Sequence, residues 1–301
     1  MKVQKILLLL LLLLNVDIYS QSVNSPKVLI VVAHPDDEAT FAATTYKITH
    51  ALNGIVELAL ITNGEGGFRY STLAESIYGL ELTNEEIGRK HLPEIRKKEL
   101  MNAGKITGIS NYYFFEQKDH KYTLNIREVL DSVWNVVYVK NKLKEIMRDR
   151  RFDYIFVLTP TTTTHAHHST AGILTLEAVK ELDIKDKPVV LGGMVSSKTD
   201  TVRFNYRGHS EFPITSISES NPTFSFDRTQ KFGFNDALDY KIIVNWEIAE
   251  HKSQGTMQQL YNRGDYEDYY WFDMNDKSKM EKTRDLFEKM KVNHFQKKEY
   301  K

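Results

Sequence analysis

Residues 28–38 read Val-Leu-Ile-Val-Val-Ala-His-Pro-Asp-Asp-Glu. The first five are apolar without alternation, the pattern of a strand buried on both faces in a parallel sheet. Asp36, Asp37 and Glu38 follow where a helix would start, and acidic residues are favourable at that end. Residues 39–52 read as the helix, stopped by Asn53-Gly54. Residues 55–62, Ile-Val-Glu-Leu-Ala-Leu-Ile-Thr, read as a second strand. Strand, helix and strand within about 35 residues make a right-handed βαβ unit.

The alternation continues outward from this unit. A Gly-rich loop at 63–67 precedes a helix over 84–107, with a break or restart expected at Pro93. A short aromatic strand at 112–115, a helix at 125–149, a strand at 152–158, a helix at 166–182 and a short strand at 189–191 follow. The order predicts a three-layer, Rossmann-like α/β domain with a mainly parallel sheet. The boundaries expected are 21–191 for this core and 192–301 for a C-terminal extension packed on it. Within the extension, 235–263 reads as one long helix and 276–292 as a charged one. The aromatic run 266–272 has no assignment.

Residues 1–20 carry Lys2 and Lys5, then an unbroken apolar run from Ile6 to Leu14, then a polar turn to Ser20. Nine apolar residues are too few to span a bilayer, so the segment reads as a signal peptide cleaved near Ser20–Gln21, with an uncleaved anchor as the competing reading. The expectation is export to the periplasm or beyond, with no stable membrane span after cleavage. The chain has no cysteine among its 301 residues, so thiolate ligands and disulfides are excluded. Forty basic and forty acidic residues balance to zero. No basic excess marks a nucleic-acid binder.

Open α/β sheets bind ligands beyond the carboxyl ends of their strands. His34, Asp36 and Asp37 lie past the first strand. His165 and His168 lie past the strand at 152–158. Two His and a carboxylate suit Zn²⁺ or another divalent cation with an open position for water. The metal would lower that water's pKa to about 7. The residues alone leave other readings open: Asp36 and Asp37 as helix caps, the histidines as solvated loop residues.

Ala33-His34-Pro35-Asp36-Asp37-Glu38 resembles the signature of the PIG-L/LmbE family of zinc-dependent N-deacetylases. His165-Ala166-His167-His168 resembles the family's His-x-x-His. Thr62-Asn63-Gly64-Glu65-Gly66, Arg96-Lys97-Lys98-Glu99 and His251-Lys252-Ser253-Gln254 are similar to further family features. The resemblance covers 27–190 and extends in part to 254. The chain has Ala166-His167 where the family commonly has Pro-Asp.

The resemblance implies His34, Asp37 and His168 as metal ligands. It implies Asp36 as the general base, and His165 as oxyanion stabiliser and proton donor to the leaving amine. Arg96 is a candidate for substrate hydroxyls or a charged group, its alternative a surface ion pair with Glu99. Asp119 is a candidate for a sugar hydroxyl, its alternative an ordinary loop Asp. Glu38 reads as a helix cap and His251 as a structural His. The implied activity is removal of an N-acyl group, N-acetyl by expectation, from an amino sugar or glycoconjugate. The competing readings are a metal-containing carbohydrate-binding protein without catalysis, and a two-His-one-carboxylate Fe(II) oxygenase.

Overall fold

A computed structural model of the chain describes residues 25–185, 187–200, 206 and 208–294. The expected signal segment lies outside these residues. Seven strands form one sheet in the order β3-β2-β1-β4-β5-β9-β6. β1 (Lys27–Val32), β2 (Ile55–Thr62), β3 (Ile109–Gln117), β4 (Tyr154–Leu158) and β5 (Val189–Ser196) run parallel. β9 (Tyr266–Trp271) runs antiparallel between β5 and β6 (Phe224–Asp227). β7 (Lys231–Phe232) and β8 (Leu238–Asp239) make a small separate hairpin.

β1 shows why the sheet has two covered faces. Val28, Ile30 and Val32 enter one core with α1 (Ala42–Ala51), α2 (Glu85–Thr107), α5 (Lys241–Glu250) and α6 (Met280–Lys291). Leu29 and Val31 enter the other with α3 (Val136–Arg150) and α4 (Ala166–Lys180). Each such side chain is fully buried, contributing about 1.5–3 kcal/mol. The expected three-layer α/β architecture is what the chain adopts.

Several elements depart from their sequence reading. Pro93 does not break α2, which runs from Glu85, capped by the Asn84 side chain, to Thr107. The helix expected at 125–149 divides at Trp134, an extended and buried residue, and restarts under an Asn135 cap. The long helix expected at 235–263 is α5 alone. It ends where His251 leaves helical geometry (φ −80°, ψ 60°) to bury its ring, and short turns follow.

The unassigned run 266–272 is β9 and its last neighbour, with Tyr269, Tyr270, Trp271 and Phe272 buried. Its buried carboxylates escaped a strand reading because they are individually paired. Glu267 takes the N–H groups of Ala43 (2.8 Å) and Thr44 (2.9 Å) and Arg228 Nε (2.9 Å). Asp268 takes Ser196 Oγ (2.5 Å) and Ser225 Oγ. β5 runs across the 191/192 boundary, and β9 and β6 extend the same sheet.

Candidate metal centre and active site

The βα turn after β1 puts Asp36 at φ 143°, ψ −17°, a conformation rare for any residue with a Cβ. Such strain costs about 1–3 kcal/mol and persists only where surroundings enforce it. Glu38 does the enforcing. It is fully buried; Oε2 accepts the Asp36 N–H (2.9 Å) and Oε1 meets His251 Nε2 (2.6 Å). Glu38 is therefore a clamp rather than a helix cap, and His251 is the buried partner that holds it.

Arg96 completes the enclosure. Its guanidinium donates to Gly64 O (2.6 Å), Pro35 O (2.8 Å) and Asp36 Oδ2 (2.7 Å). The side chain is buried and turned into protein, where an open face was expected for a substrate group. It makes no surface pair with Glu99 either. Glu99 instead accepts from Tyr78 Oη, Ser253 N and Ser253 Oγ. The Gly-rich loop follows from this crowding. A Cβ on Gly64, already at φ +70°, would lie 2.6 Å from Arg96 Nη1, and one on Gly66 would lie 2.6 Å from Asp119 Oδ1.

His34, Asp37 and His168 stand together. His34 Nδ1 lies 3.0 Å from His168 Nε2 and 3.5 Å from Asp37 Oδ2, and His168 Nε2 lies 3.1 Å from Asp37 Oδ1. Ligands at about 2.0–2.1 Å from a tetrahedral Zn²⁺ stand about 3.3–3.4 Å apart; each pair among these groups comes close to that spacing, Asp37 through a different oxygen to each histidine. Their outer atoms are held. Asp37 Oδ2 accepts the N–H groups of Ala33 (3.1 Å) and His34 (2.8 Å), and His168 Nδ1 meets Thr164 Oγ1 (3.1 Å). Among the described residues, the group on this side whose ligand atoms all lie within 4.8 Å of one another is His34, His165 and His168, without Asp37.

A second group lies on the other side of the same ring. His34 Nε2 is 3.1 Å from His167 Nδ1 and 3.7 Å from Asp119 Oδ1, and those two are 3.4 Å apart. These three also satisfy the geometry of a metal group. Exposure separates the two. The His168 side chain is 20% exposed, whereas His167 is fully enclosed. Only the first group has the open side that a catalytic ion requires. Asp119, expected to face a sugar hydroxyl, is buried under His34, with Oδ2 accepting the Gly66 N–H (3.0 Å).

The electrostatics favour a cation at His34. Burial opposes a charged imidazole, yet Asp119 and Asp37 together push it up to about 10. Burial also raises Asp37 and Asp119, but their histidines hold both well below the ordinary carboxylate range. Asp36 goes the other way: burial raises it to about 6, against the opposing Arg96 charge. His165 moves down. Burial, then the His34 and His167 charges, lower it to about 3. Its Nε2 donates to Lys121 O (3.0 Å), while its buried Nδ1 has no partner.

The sequence gives His167 no more than a neighbour's claim on the metal, at a position the family pattern leaves variable, and does not mark His120 or Glu128. His167 Nε2 meets His120 Nδ1 (3.0 Å), and His120 Nε2 meets Glu128 Oε1 (3.3 Å). The only sequence signal was the replacement of Pro-Asp by Ala166-His167.

Comparison with known proteins bears on the family and the fold. Residues 29–179 match the family model described as PIG-L, GlcNAc-PI de-N-acetylase. The probable N-acetyl-alpha-D-glucosaminyl L-malate deacetylase 2 of Bacillus cereus is 25% identical over 175 residues, 58% of this chain and 70% of that protein. Among solved structures, the N,N'-diacetylchitobiose deacetylase of Pyrococcus horikoshii is similar with a TM-score of 0.51 and 17% identity, over 85% of this chain and 87% of that one. GalB, the 4-carboxy-2-hydroxymuconate hydratase of Pseudomonas putida, is similar with a TM-score of 0.51 and 13% identity, over 81% and 95%. The structural likenesses establish the fold. One of the two is to a hydratase, so the reaction has to be argued from the residues.

Proposed function

This chain belongs to the PIG-L de-N-acetylase family, and from that premise we propose that it removes an N-acetyl group from an amino sugar or glycoconjugate. The observation that carries the reading is the open-sided trio of His34, Asp37 and His168 beside a buried, Arg96-held Asp36. A divalent cation, Zn²⁺ by its N and O donor set, would supply Lewis-acid activation of a water and of the amide carbonyl.

The remaining work falls to side chains. Asp36 Oδ2 is fixed by Arg96 (2.7 Å), which leaves Oδ1 to take the water's proton. The water oxygen joins the acyl carbon, the C–N bond breaks, and Asp36 returns its proton to the amine nitrogen. His165 rests neutral, with its proton on Nε2 and a bare Nδ1. Nδ1 thus meets the substrate as an acceptor for the amide N–H. His165 serves the oxyanion only after gaining a proton there. The carbohydrate-binding alternative gives no work to Asp36, and the oxygenase alternative has no use for a base beside the ion.

The test is mass spectrometry of products from a panel of N-acetyl sugars, using protein loaded with Zn²⁺. Acetate together with the free amine supports the reading. Tight sugar binding without acetate across the panel overturns it in favour of a binding protein. Export is part of the proposal: a mature N-terminus near Gln21 in the extracytoplasmic fraction is expected. Full-length chain in the cytosol would refute that part alone. Among the described residues no helix is long and apolar enough to cross a membrane.

A further inference from the structure

His34 offers two ring nitrogens, and a metal ligand must present a lone pair, not a proton, to the ion. What decides which nitrogen is bare is the hydrogen bond made by the other one. At His34 that bond does not end at a carboxylate or a carbonyl. It enters a file of rings: His34 Nε2 to His167 Nδ1 (3.1 Å), His167 Nε2 to His120 Nδ1 (3.0 Å), His120 Nε2 to Glu128 Oε1 (3.3 Å).

Only the end of the file has an unambiguous polarity. A carboxylate only accepts, so His120 must carry its proton on Nε2. Its Nδ1 is then bare and must accept from His167 Nε2–H. His167 Nδ1 is bare in turn and must accept from His34 Nε2–H. When His34 gives up its second proton, as a metal ligand must, Nδ1 is the nitrogen left with a lone pair, on the side where Asp37 and His168 stand. The opposite assignment would have His167 Nδ1 donate toward Asp119, and would turn a bare His120 nitrogen against the Glu128 carboxylate. Glu128 is a dependable terminus. Lys121 Nζ (2.8 Å) and Thr123 Oγ1 (3.1 Å) hold it, and Lys121 leads in pulling its pKa down to about 2. Asp119 does not break the file. Its Oδ1 stands 3.4 Å from His167 Nδ1 and 3.7 Å from His34 Nε2, farther than the 3.1 Å between those two nitrogens, where it can accept from the same His34 Nε2–H, and its Oδ2 is tied to the Gly66 N–H. Trp134 packs against the His167 ring (5.1 Å between centroids), limiting its rotation.

We infer that Glu128, His120 and His167 are positioning residues that set the tautomer of His34 through three hydrogen bonds, and so fix which of its nitrogens faces the metal. This assigns work to Ala166-His167, the point where the chain departs from its family's pattern. It rests on the metal-ligand reading of His34 above.

The experiment measures Zn²⁺ affinity by chelator competition on the full mature chain. His120 is the residue to vary, because its side chain is 13% exposed and more tolerant of change than His167. His120→Phe removes both bonds and is expected to weaken Zn²⁺ binding about 10–100-fold. His120→Gln has an amide oxygen to accept from His167 and an amide N–H to give to Glu128. It is expected to stay within about threefold of the parent, its amide restoring the bonds that hold His34. Nitrogen-15 NMR of the imidazoles is expected to show Nε2–H tautomers at His34, His167 and His120 in the zinc form. Unchanged affinity in His120→Phe, equal weakening in both variants, or an Nδ1–H signal at His167 would overturn the inference. Failure of the parent to bind Zn²⁺ would instead sink the metal-ligand reading. The tautomers of His167 and His120 would still decide the file.

Discussion

Replacing Arg96 by Met tests how the base is kept usable. The guanidinium is buried and makes three charged hydrogen bonds, one to Asp36 and two to carbonyls of the loops that carry the site. Removing one partner of a buried ion pair costs about 3–5 kcal/mol, a large share of the 5–15 kcal/mol typical of a folded protein. A clear fall in Tm is therefore expected. The functional consequence is more specific. Burial pushes Asp36 up to about 6, and Arg96 is the largest influence holding it down. An adjacent Arg lowers an Asp by about one to three pH units, so its loss moves Asp36 up by an amount of that order.

Asp36 works only when ionised, and a higher pKa means the base is lost at a higher pH. The acid limb of kcat/KM for acetate release should shift upward, from near pH 6 toward neutrality and beyond. Each pH unit costs about tenfold in rate at pH values below the new limb. Arg96→Lys retains the charge and should recover most of the limb, though not all of the stability. An Arg96→Met enzyme with full metal content and an unmoved acid limb would refute the pairing argument. A substrate-binding role for Arg96 would raise KM and leave the limb in place.

Three further outcomes are expected. Asp36→Asn should keep one metal per chain by elemental analysis and lose about 10²–10⁴-fold in turnover, whereas Asp37→Ala should lose the metal itself. Retained turnover in the first would remove the base assignment. His251→Ala leaves Glu38 buried without its partner, a loss of about 3–5 kcal/mol that should appear in denaturant unfolding; because Glu38 also holds the Asp36 N–H, turnover should fall with metal content unchanged. Finally, burial raises Glu57 but Arg150 and Tyr113 more than offset it, so its pKa lies below the ordinary 4.5. A depressed carboxylate contributes stability above its unfolded pKa and loses it as pH falls through the folded one. Glu57→Gln should flatten the decline in Tm below about pH 4.5; an identical decline in both proteins would remove Glu57 as its source.

The parallel half of the sheet was legible because each strand announces itself. β1 and β2 are apolar on every residue but their ends and Glu57, and the predicted span 55–62 of β2 is the one observed. The antiparallel strands were not legible. β9 hides under Glu267 and Asp268, whose partners Arg228, Ala43, Ser196 and Ser225 come from distant parts of the chain. The closeness of His34, Asp37 and His168 could be read from two local motifs. Arg96 and Asp119 could be singled out as substrate-binding candidates, but sequence carries no sign of the direction a side chain takes. The same limit kept Glu38 in the role of a helix cap, since its partner His251 is 213 positions away. His120 and Glu128 stand in a loop and a short turn with no motif to mark them.

The position of β9 between β5 and β6 has a bearing on biosynthesis. The stretch shared with the family ends at residue 179, before β5 begins. When β5 is finished at Ser196, about 75 residues must still be made before Trp271 completes the strand that seals its edge. At ribosomal speeds of roughly 5–20 residues per second, that edge stays unsealed for about 4–15 s. A row of unpaired backbone groups beside the buried apolar side chains of Val189, Val190 and Leu191 is a template for pairing with other chains. The nascent chain is most exposed to aggregation in that interval, and a product truncated near residue 200 would remain in it permanently.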